Sequence, residues 1–180
     1  STGRGVINGF EESLQAVIGP GLWGRLRSFG PANADFVAEG EAHDFAVHSR
    51  AEKTSEPAPR VQWALSGIFN QHNALAAIAA AEHIGVSVTQ SCAALADFQS
   101  VKRRLELFAS VSLPTGGAPV VIYDDFAPPP TAIRLTLEGL RARLGQQARI
   151  LAIFEPRSNT MKLGTMKAQL PWSLEAADLA

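Results

Sequence analysis

Two adjacent carboxylates follow an apolar, β-rich run in the second half of the chain. Residues 120–123 form the run, Asp124 and Asp125 follow it, and residues 128–130 are all proline before a helical pattern begins. In an open α/β sheet, ligands bind where a strand ends and the next helix starts. The segment therefore predicts a ligand site at Asp124 and Asp125.

Three consecutive cations, at residues 102–104, precede an alternating strand pattern. A turn at residues 114–117 separates this strand from residues 120–123, which predicts a β-hairpin. One interpretation is a solvated basic entry to that strand, which the residue types alone favour. The other is a cation held at a phosphate or carboxylate site, for which the rigid and permanently charged guanidinium of Arg is well suited.

The elements that position these groups follow from the apolar periodicity. Ile133, Leu137, Leu140 and Leu144 have the spacing of an amphipathic helix. Residues 149–154 are continuously apolar after Arg149, which predicts a buried parallel strand. Strand, helix and strand would form a right-handed βαβ unit. We expect the polar residues that follow both strands to share one crevice.

The first hundred residues alternate helical and strand patterns. A strand near Val6 and a helix carrying Leu14 precede an antiparallel meander over residues 35–65. Gly67 opens a helix of small residues, and a second helix over residues 89–98 carries Cys92 on its apolar face. We expect surface roles rather than metal binding for His43 and His48. Near the other end of the chain, we expect Ser173 to cap a helix that runs to Ala180.

Composition excludes several classes of function. The 180 residues are 46% hydrophobic and 18% charged, with a formal net charge of -1. No block of like charge supports binding to nucleic acid or to an anionic membrane surface. The longest apolar run, residues 74–81, is far shorter than the ~20 residues of a membrane-spanning helix. A single cysteine excludes an internal disulfide, and the absence of a signal-peptide pattern makes the cytoplasm the expected location.

Four blocks of sequence are specific enough to indicate a family. They cover residues 67–80, 101–106, 123–133 and 155–167, and the last reads EPRSNTMKLGTMK. Together they resemble the Mur ligases of peptidoglycan synthesis. The resemblance implies an α/β fold in two parts. Residues 1–101 would be the end of the ATP-binding central domain, with short antiparallel strands, and residues 102–180 the first part of a Rossmann-like C-terminal domain.

The resemblance also implies an activity, which is ATP-dependent ligation of a carboxylate to an amine through an acyl phosphate. The blocks are most similar to the cell-wall recycling branch, which joins the tripeptide L-Ala-γ-D-Glu-meso-diaminopimelate to UDP-N-acetylmuramate. ATP and Mg²⁺ are the implied cofactors. The 180 residues contain no Gly-x-x-Gly-Lys-Thr/Ser phosphate loop. We therefore expect the Mg²⁺ ligands to lie outside this chain, and the chain alone not to turn over ATP.

Individual residues match the positions of the family's ligands. Asn70 and Asn73 match an asparagine pair that contacts the nucleotide. Because they are three residues apart at a helix start, both amides can face one way; capping of the helix by Asn70 is the alternative. Arg104 matches an arginine assigned to nucleotide phosphate, and Asp125 an aspartate on the ribose side. The predicted tripeptide-binding residues are Arg157, Ser158 and Asn159.

The sequence departs from the family pattern at two places. Phe69 stands where the family has histidine, and Pro128 and Pro129 replace a histidine pair. Prolines remove the imidazole donors and stiffen the loop. Two alternatives therefore stay open: a ligase like folylpolyglutamate synthase, against which residues 155–167 argue, and a non-catalytic module that binds nucleotide or peptide.

Overall fold

The computed structural model describes residues 3–51, 57–126, 129–155 and 162–180. The chain divides into two compact units, Ser1–Phe98 and Gln99–Ala180. Each unit has its own cluster of buried apolar side chains. No helix in the described ranges is long and apolar enough to cross a membrane.

The N-terminal unit contains a five-stranded mixed sheet in the order β1-β2-β3-β4-β5. Strands β1 to β3 run parallel to one another, whereas β3, β4 and β5 pair antiparallel, which confirms the predicted meander. Three helices complete the described part of the unit. The strands are β1 (Arg4–Asn8), β2 (Arg25–Phe29), β3 (Phe36–Glu41), β4 (Asp44–Ser49) and β5 (Arg60–Gln62), and the helices are α1 (Glu12–Ile18), α2 (Ile68–His83) and α3 (Val88–Ala96).

Helix α2 packs on this sheet through small and branched apolar side chains. Ala74, Leu75, Ile78 and Ala79 are all buried there, and alanine lets a helix approach its neighbour closely. Gly67 begins the helix with a φ of 90°, a conformation that favours glycine. Helix α3 begins with a Ser87–Gln90 capping box. Its Cys92 is 2% exposed, which confirms the predicted core position.

A network of ion pairs ties the C-terminal end of α2 to the parallel strands. The Glu82 carboxylate accepts hydrogen bonds from Arg4 at 3.0 Å and from Arg27 at 3.2 Å. Arg27 also pairs with Asp35 at 3.1 Å, and Asp35 accepts the Ser28 backbone N–H at 2.9 Å. Burial opposes ionisation of Asp35, but these donors outweigh it and lower its pKa. The network is partly buried and therefore structural.

The C-terminal unit is built around a β-hairpin and one long helix. Strand β6 (Glu106–Val111) pairs antiparallel with β7 (Val120–Asp124), as predicted. Helix α4 (Pro130–Leu144) follows, and a 3₁₀ turn (Lys167–Gln169) leads into the short helix α5 (Leu170–Ser173). The buried side chains of the unit's core are those of Leu137, Leu140 and Ile150.

The strand predicted over residues 149–154 does not form, so the βαβ unit and its shared crevice are wrong. This segment makes one isolated parallel bridge, between Leu151 and Leu179, and Ile153 is 98% exposed. Its backbone bonds go to the end of the chain instead, because Ala152 N–H donates to Leu179 and the Ile150 carbonyl accepts from Asp178. An apolar run forms a strand only where a neighbour supplies a full ladder.

The helix predicted to run from Ser173 to Ala180 is also wrong. Ser173 is the last residue of α5, and its hydroxyl donates to the Leu170 carbonyl at 2.7 Å. The hydroxyl therefore closes the preceding turn and does not cap a following helix.

Candidate functional site

The carboxylates at the end of β7 hold the turn that precedes β6. Asp125 Oδ2 accepts the Leu105 backbone N–H at 2.7 Å, and Asp124 Oδ2 accepts Arg103 Nε at 3.0 Å. The Phe126 N–H donates to the Arg103 carbonyl at 2.9 Å. Glu106 accepts the Arg103 N–H at 2.8 Å and thereby closes the turn on itself. We call residues 103–106 the arginine turn.

The arginine turn contains two residues in the left-handed region. Arg103 has a φ of 60° and Leu105 a φ of 47°, and among the described residues no others apart from glycine have positive φ. Each such residue costs on the order of 1–3 kcal/mol and persists only where its surroundings hold it. The hydrogen bonds to the three carboxylates supply that restraint, so the turn is both strained and fixed.

Asp125 has one oxygen committed to the turn and one oxygen without a partner. Its Oδ1 is buried and has no hydrogen-bond partner within the described part of the chain. A buried acceptor left unpaired costs about 1–3 kcal/mol. The Asp125 Oδ1 atom is therefore suited to accept a hydrogen bond from a bound hydroxyl or amine.

Arg104 occupies the middle of the arginine turn. Its side chain is exposed and makes no hydrogen bond or ion pair with any residue that the structure describes. Arg103, and not Arg104, forms the ion pair with Asp124, and its guanidinium carbon lies 5.2 Å from the centroid of the Phe126 ring. An unpaired guanidinium retains all its donors for an anionic ligand.

Asn70 and Asn73 lie together in the first turns of α2. Asn70 Nδ2 donates to the Ser66 carbonyl at 2.8 Å, and Asn73 is exposed. The capping alternative for Asn70 is wrong, because Gly67 is the N-cap and makes no side-chain cap. The bond to Ser66 uses one amide hydrogen, so the Asn70 carbonyl oxygen stays available as an acceptor.

The structure thus brings Arg104 and Asp125 to the same end of the β6–β7 hairpin, and Asn70 and Asn73 together on one helix. The predicted tripeptide-binding residues Arg157, Ser158 and Asn159 lie outside the described residues. The described ranges also contain no group of three His, Cys, Asp or Glu side chains that would bind a metal ion. We therefore assign no Mg²⁺ ligand to them.

Sequence reasoning missed Arg103 and the structural use of Asp124. The signal that would have found them is the hairpin register, in which Glu106 pairs with Asp124. In an antiparallel hairpin, residues before the first strand lie beside those after the second. The basic run at residues 102–104 had therefore to meet the acidic pair.

A cavity of about 460 Å³ in the N-terminal unit was also unforeseen. Phe10, Gly30 and helix α2 line it, and the His72 ring lies there 5.2 Å from that of Phe10. Burial lowers the pKa of His72, because a charged imidazolium is poorly solvated beside apolar rings.

Comparison with known proteins identifies the family of this chain. The fold of the chain is that of a Mur ligase: a crystal structure of a murein peptide ligase from Psychrobacter arcticus 273-4 superposes with a TM-score of 0.70 and 38% identity, over 98% of this chain and 36% of that one. The chain belongs to the Mur ligase family. No family model matches it.

Two curated relatives narrow the similarity to one type of ligase. Both are named UDP-N-acetylmuramate–L-alanyl-γ-D-glutamyl-meso-2,6-diaminoheptandioate ligase. The Haemophilus influenzae protein is 41% identical over 170 residues, 93% of this chain and 35% of the relative. The Escherichia coli protein is 46% identical over 138 residues, 77% of this chain and 28% of the relative. The chain therefore spans about a third of the length of these ligases.

Proposed function

We propose that this chain contributes to an ATP-dependent ligase that joins L-Ala-γ-D-Glu-meso-diaminopimelate to UDP-N-acetylmuramate in cytoplasmic cell-wall recycling. The names of the two curated relatives support these substrates. Their sequence identity of 41–46% to this chain supports assigning it to a ligase of the same activity. Residues 1–101 and 102–180 would belong to the central and C-terminal domains of the family. That assignment stays a prediction.

The nucleotide-binding role rests on one observation: the buried Asp125 Oδ1, which has no partner in the described part of the chain, lies beside the turn that carries the unpaired Arg104. We infer that Oδ1 accepts a ribose hydroxyl and that Arg104 binds the nucleotide phosphates. A guanidinium neutralises phosphate charge with paired donors. Asn70 and Asn73 would contact the adenine or the ribose, since amides read both donors and acceptors.

ATP, when bound, supplies the phosphoryl group that activates the substrate carboxylate. The residues of this chain would orient the nucleotide and neutralise its charge, which is the main requirement of phosphoryl transfer. Arg157, Ser158 and Asn159 would bind the carboxylates of the tripeptide. No residue of this chain is assigned to covalent chemistry.

Calorimetry with the 180-residue chain and adenylyl imidodiphosphate tests the nucleotide site directly. We expect binding in the unaltered chain and its loss in Arg104→Ala. Lys102→Ala is the matched control, because it removes an exposed cation two residues away that makes no hydrogen bond or ion pair with the described residues. Equal loss in the two variants would overturn the assignment of Arg104.

Turnover requires a longer protein, so the second test is a chimera. This chain replaces the matching region of the Haemophilus influenzae ligase, and ADP release is measured with UDP-N-acetylmuramate and tripeptide. Activity above that of an Arg104→Ala chimera would support the ligase. A folded chimera that binds nucleotide without turnover would favour the non-catalytic module, for which Phe69, Pro128 and Pro129 argue.

A further inference from the structure

We propose that Arg103 is a positioning residue, which holds the arginine turn so that Arg104 and Asp125 are directed at the nucleotide. The inference rests on the proposed nucleotide site but concerns a residue that does not touch the ligand. Arg103 would act through the conformation of its neighbours.

Four contacts fasten Arg103 to the hairpin. Its Nε donates to Asp124 at 3.0 Å, and its guanidinium carbon lies 5.2 Å from the Phe126 ring centroid. Its backbone carbonyl accepts the Phe126 N–H, and its backbone N–H donates to Glu106. One residue thus joins the beginning of β6 to the end of β7 by both side chain and backbone.

These contacts offset a conformation that arginine does not adopt readily. At a φ of 60°, the Arg103 Cβ lies too close to its own backbone. Leu105, two positions later, has a φ of 47° and the same steric strain. Loss of the side-chain contacts would let the turn relax toward negative φ. Arg104 lies between the two strained residues, so its direction changes with either of them.

The same turn sets the state of Asp125. The Leu105 N–H donates to Asp125 Oδ2 while Leu105 is in the left-handed conformation, so the bond and the conformation belong to the same turn. While that bond holds Oδ2, the carboxylate cannot rotate freely, and Oδ1 stays buried without a hydrogen-bond partner in the described part of the chain. Relaxation of the turn would release Oδ2 and misdirect the oxygen that we assign to the ribose.

The experiment compares Arg103→Ala with Arg103→Gly in the 180-residue chain, by calorimetry with adenylyl imidodiphosphate. Both variants lose the ion pair and the ring contact, but glycine adopts positive φ without strain. A positioning role predicts that Kd rises roughly fivefold to tenfold in Arg103→Ala, the size of effect that coupled neighbours show. It predicts a clearly smaller rise in Arg103→Gly, and partial rescue by Arg103→Lys.

Two further measurements separate positioning from contact. Combining Arg103→Ala with Arg104→Ala should raise Kd by less than the product of the two single effects, because part of the loss in Arg103→Ala is the misdirection of Arg104 and the rest is that of Asp125. Hydrogen exchange at the Leu105 amide should accelerate in Arg103→Ala but not in the Lys102→Ala control.

The outcomes are distinguishable. Equal losses in the alanine and glycine variants, or full additivity with Arg104→Ala, would overturn the positioning role and leave the nucleotide site intact. Failure of the unaltered, folded chain to bind the analogue would overturn the nucleotide site and the role of Arg103 with it. A Leu105 amide that exchanges unchanged in Arg103→Ala would show that the ion pair does not hold the turn.

Discussion

The two units contain strands of similar apolar character but bury them very differently. In the N-terminal unit, Phe36, Phe45 and Val61 are completely buried between the sheet and its helices. In the C-terminal unit, Phe108 is 74% exposed, and the apolar residues 120–122 of β7 are also exposed. A strand sequence therefore specifies apolar side chains, whereas the layers that cover the strand decide whether they stabilise it.

The ion pairs of the two units also differ in how deeply their side chains are buried. Glu82 and its arginines lie in the N-terminal unit with side chains 14–20% exposed, where they join three elements. The pair of Arg103 with Asp124 is 54% and 39% exposed and restrains a single turn. The first network stabilises a fold, and we propose that the second pair arranges groups for a ligand.

The sharpest test of this difference uses one residue type in both units. Phe45→Ala should destabilise the N-terminal unit by about 3–5 kcal/mol, the cost of removing a fully buried aromatic side chain. Phe108→Ala should change the stability of the C-terminal unit by less than about 0.5 kcal/mol, because most of that ring contacts solvent already. Urea titration followed by peptide-resolved hydrogen exchange measures each unit separately. Comparable losses from the two substitutions would show that β6 is covered.

The contrast also explains how much of the fold followed from the sequence. Local signals were sufficient for the meander, for α2 after Gly67 and for the β6–β7 hairpin, since turn residues and periodicity define such elements. They failed at residues 149–154, because a continuous apolar run carries no information about its partner. Ile150 packs on α4 while Ile153 is exposed, and only the tertiary structure separates these two positions.

A second comparison concerns the ion pairs. Glu82→Gln removes the charge that pairs with two partly buried arginines, and should cost about 3 kcal/mol, the low end for breaking a buried pair. The matched control is Glu138→Gln in α4, whose carboxylate meets Arg134 at 2.7 Å but is 43% exposed. That change should cost less than about 0.5 kcal/mol. Thermal unfolding of both variants provides the measurement, and equal shifts would contradict the assignment of Glu82 to a structural network.

The candidate site gives the third prediction, in which binding rather than stability should change. Arg104→Ala removes an exposed side chain without described partners, so it should raise Kd for an ATP analogue about tenfold or more with unchanged unfolding. Asp125→Asn should also weaken binding, but with some loss of stability, because Asp125 Oδ2 holds the Leu105 amide. Calorimetry and thermal unfolding on the same samples separate the two. A stability loss in Arg104→Ala as large as in Asp125→Asn would make Arg104 structural.

The site itself was only partly predictable. The resemblance indicated Arg104 and Asp125 one by one, and the hairpin register would have paired Arg103 with Asp124. The left-handed conformation of Arg103 and Leu105 leaves no mark in the sequence, because neither residue is Gly or Asn. One Asp125 oxygen holds the turn, and the other is buried without a partner in the described part of the chain. This division is a tertiary property that residue types do not encode.

The smallest expected effect is a pH dependence of stability that the N-terminal unit should show and the C-terminal unit should not. All four histidines of the chain precede residue 99. Burial lowers the pKa of His72 below the usual histidine value of about 6.5. Between the folded and the unfolded pKa, the unfolded chain therefore binds a proton at His72 that the folded unit does not bind. The N-terminal unit should therefore lose stability as pH falls from 7.5 through 6.5, until the folded pKa is reached. The C-terminal unit should be unaffected there, because it contains no histidine. Its Asp178 titrates below this window, and the Ile150 N–H and Arg141 lower the pKa of that carboxyl further.

Hydrogen exchange of the two units between pH 5.5 and pH 7.5, corrected for the intrinsic pH dependence of exchange, measures this difference. His72→Gln should flatten the pH profile of the N-terminal unit, because the partly buried ring is then replaced by a side chain that does not titrate. His43→Gln, which changes a histidine outside the cavity, is the matched control and should leave the slope in place. If the slope followed His43 instead, or if the C-terminal unit showed the same slope, the cavity at Phe10 and His72 would not be the source of the pH dependence.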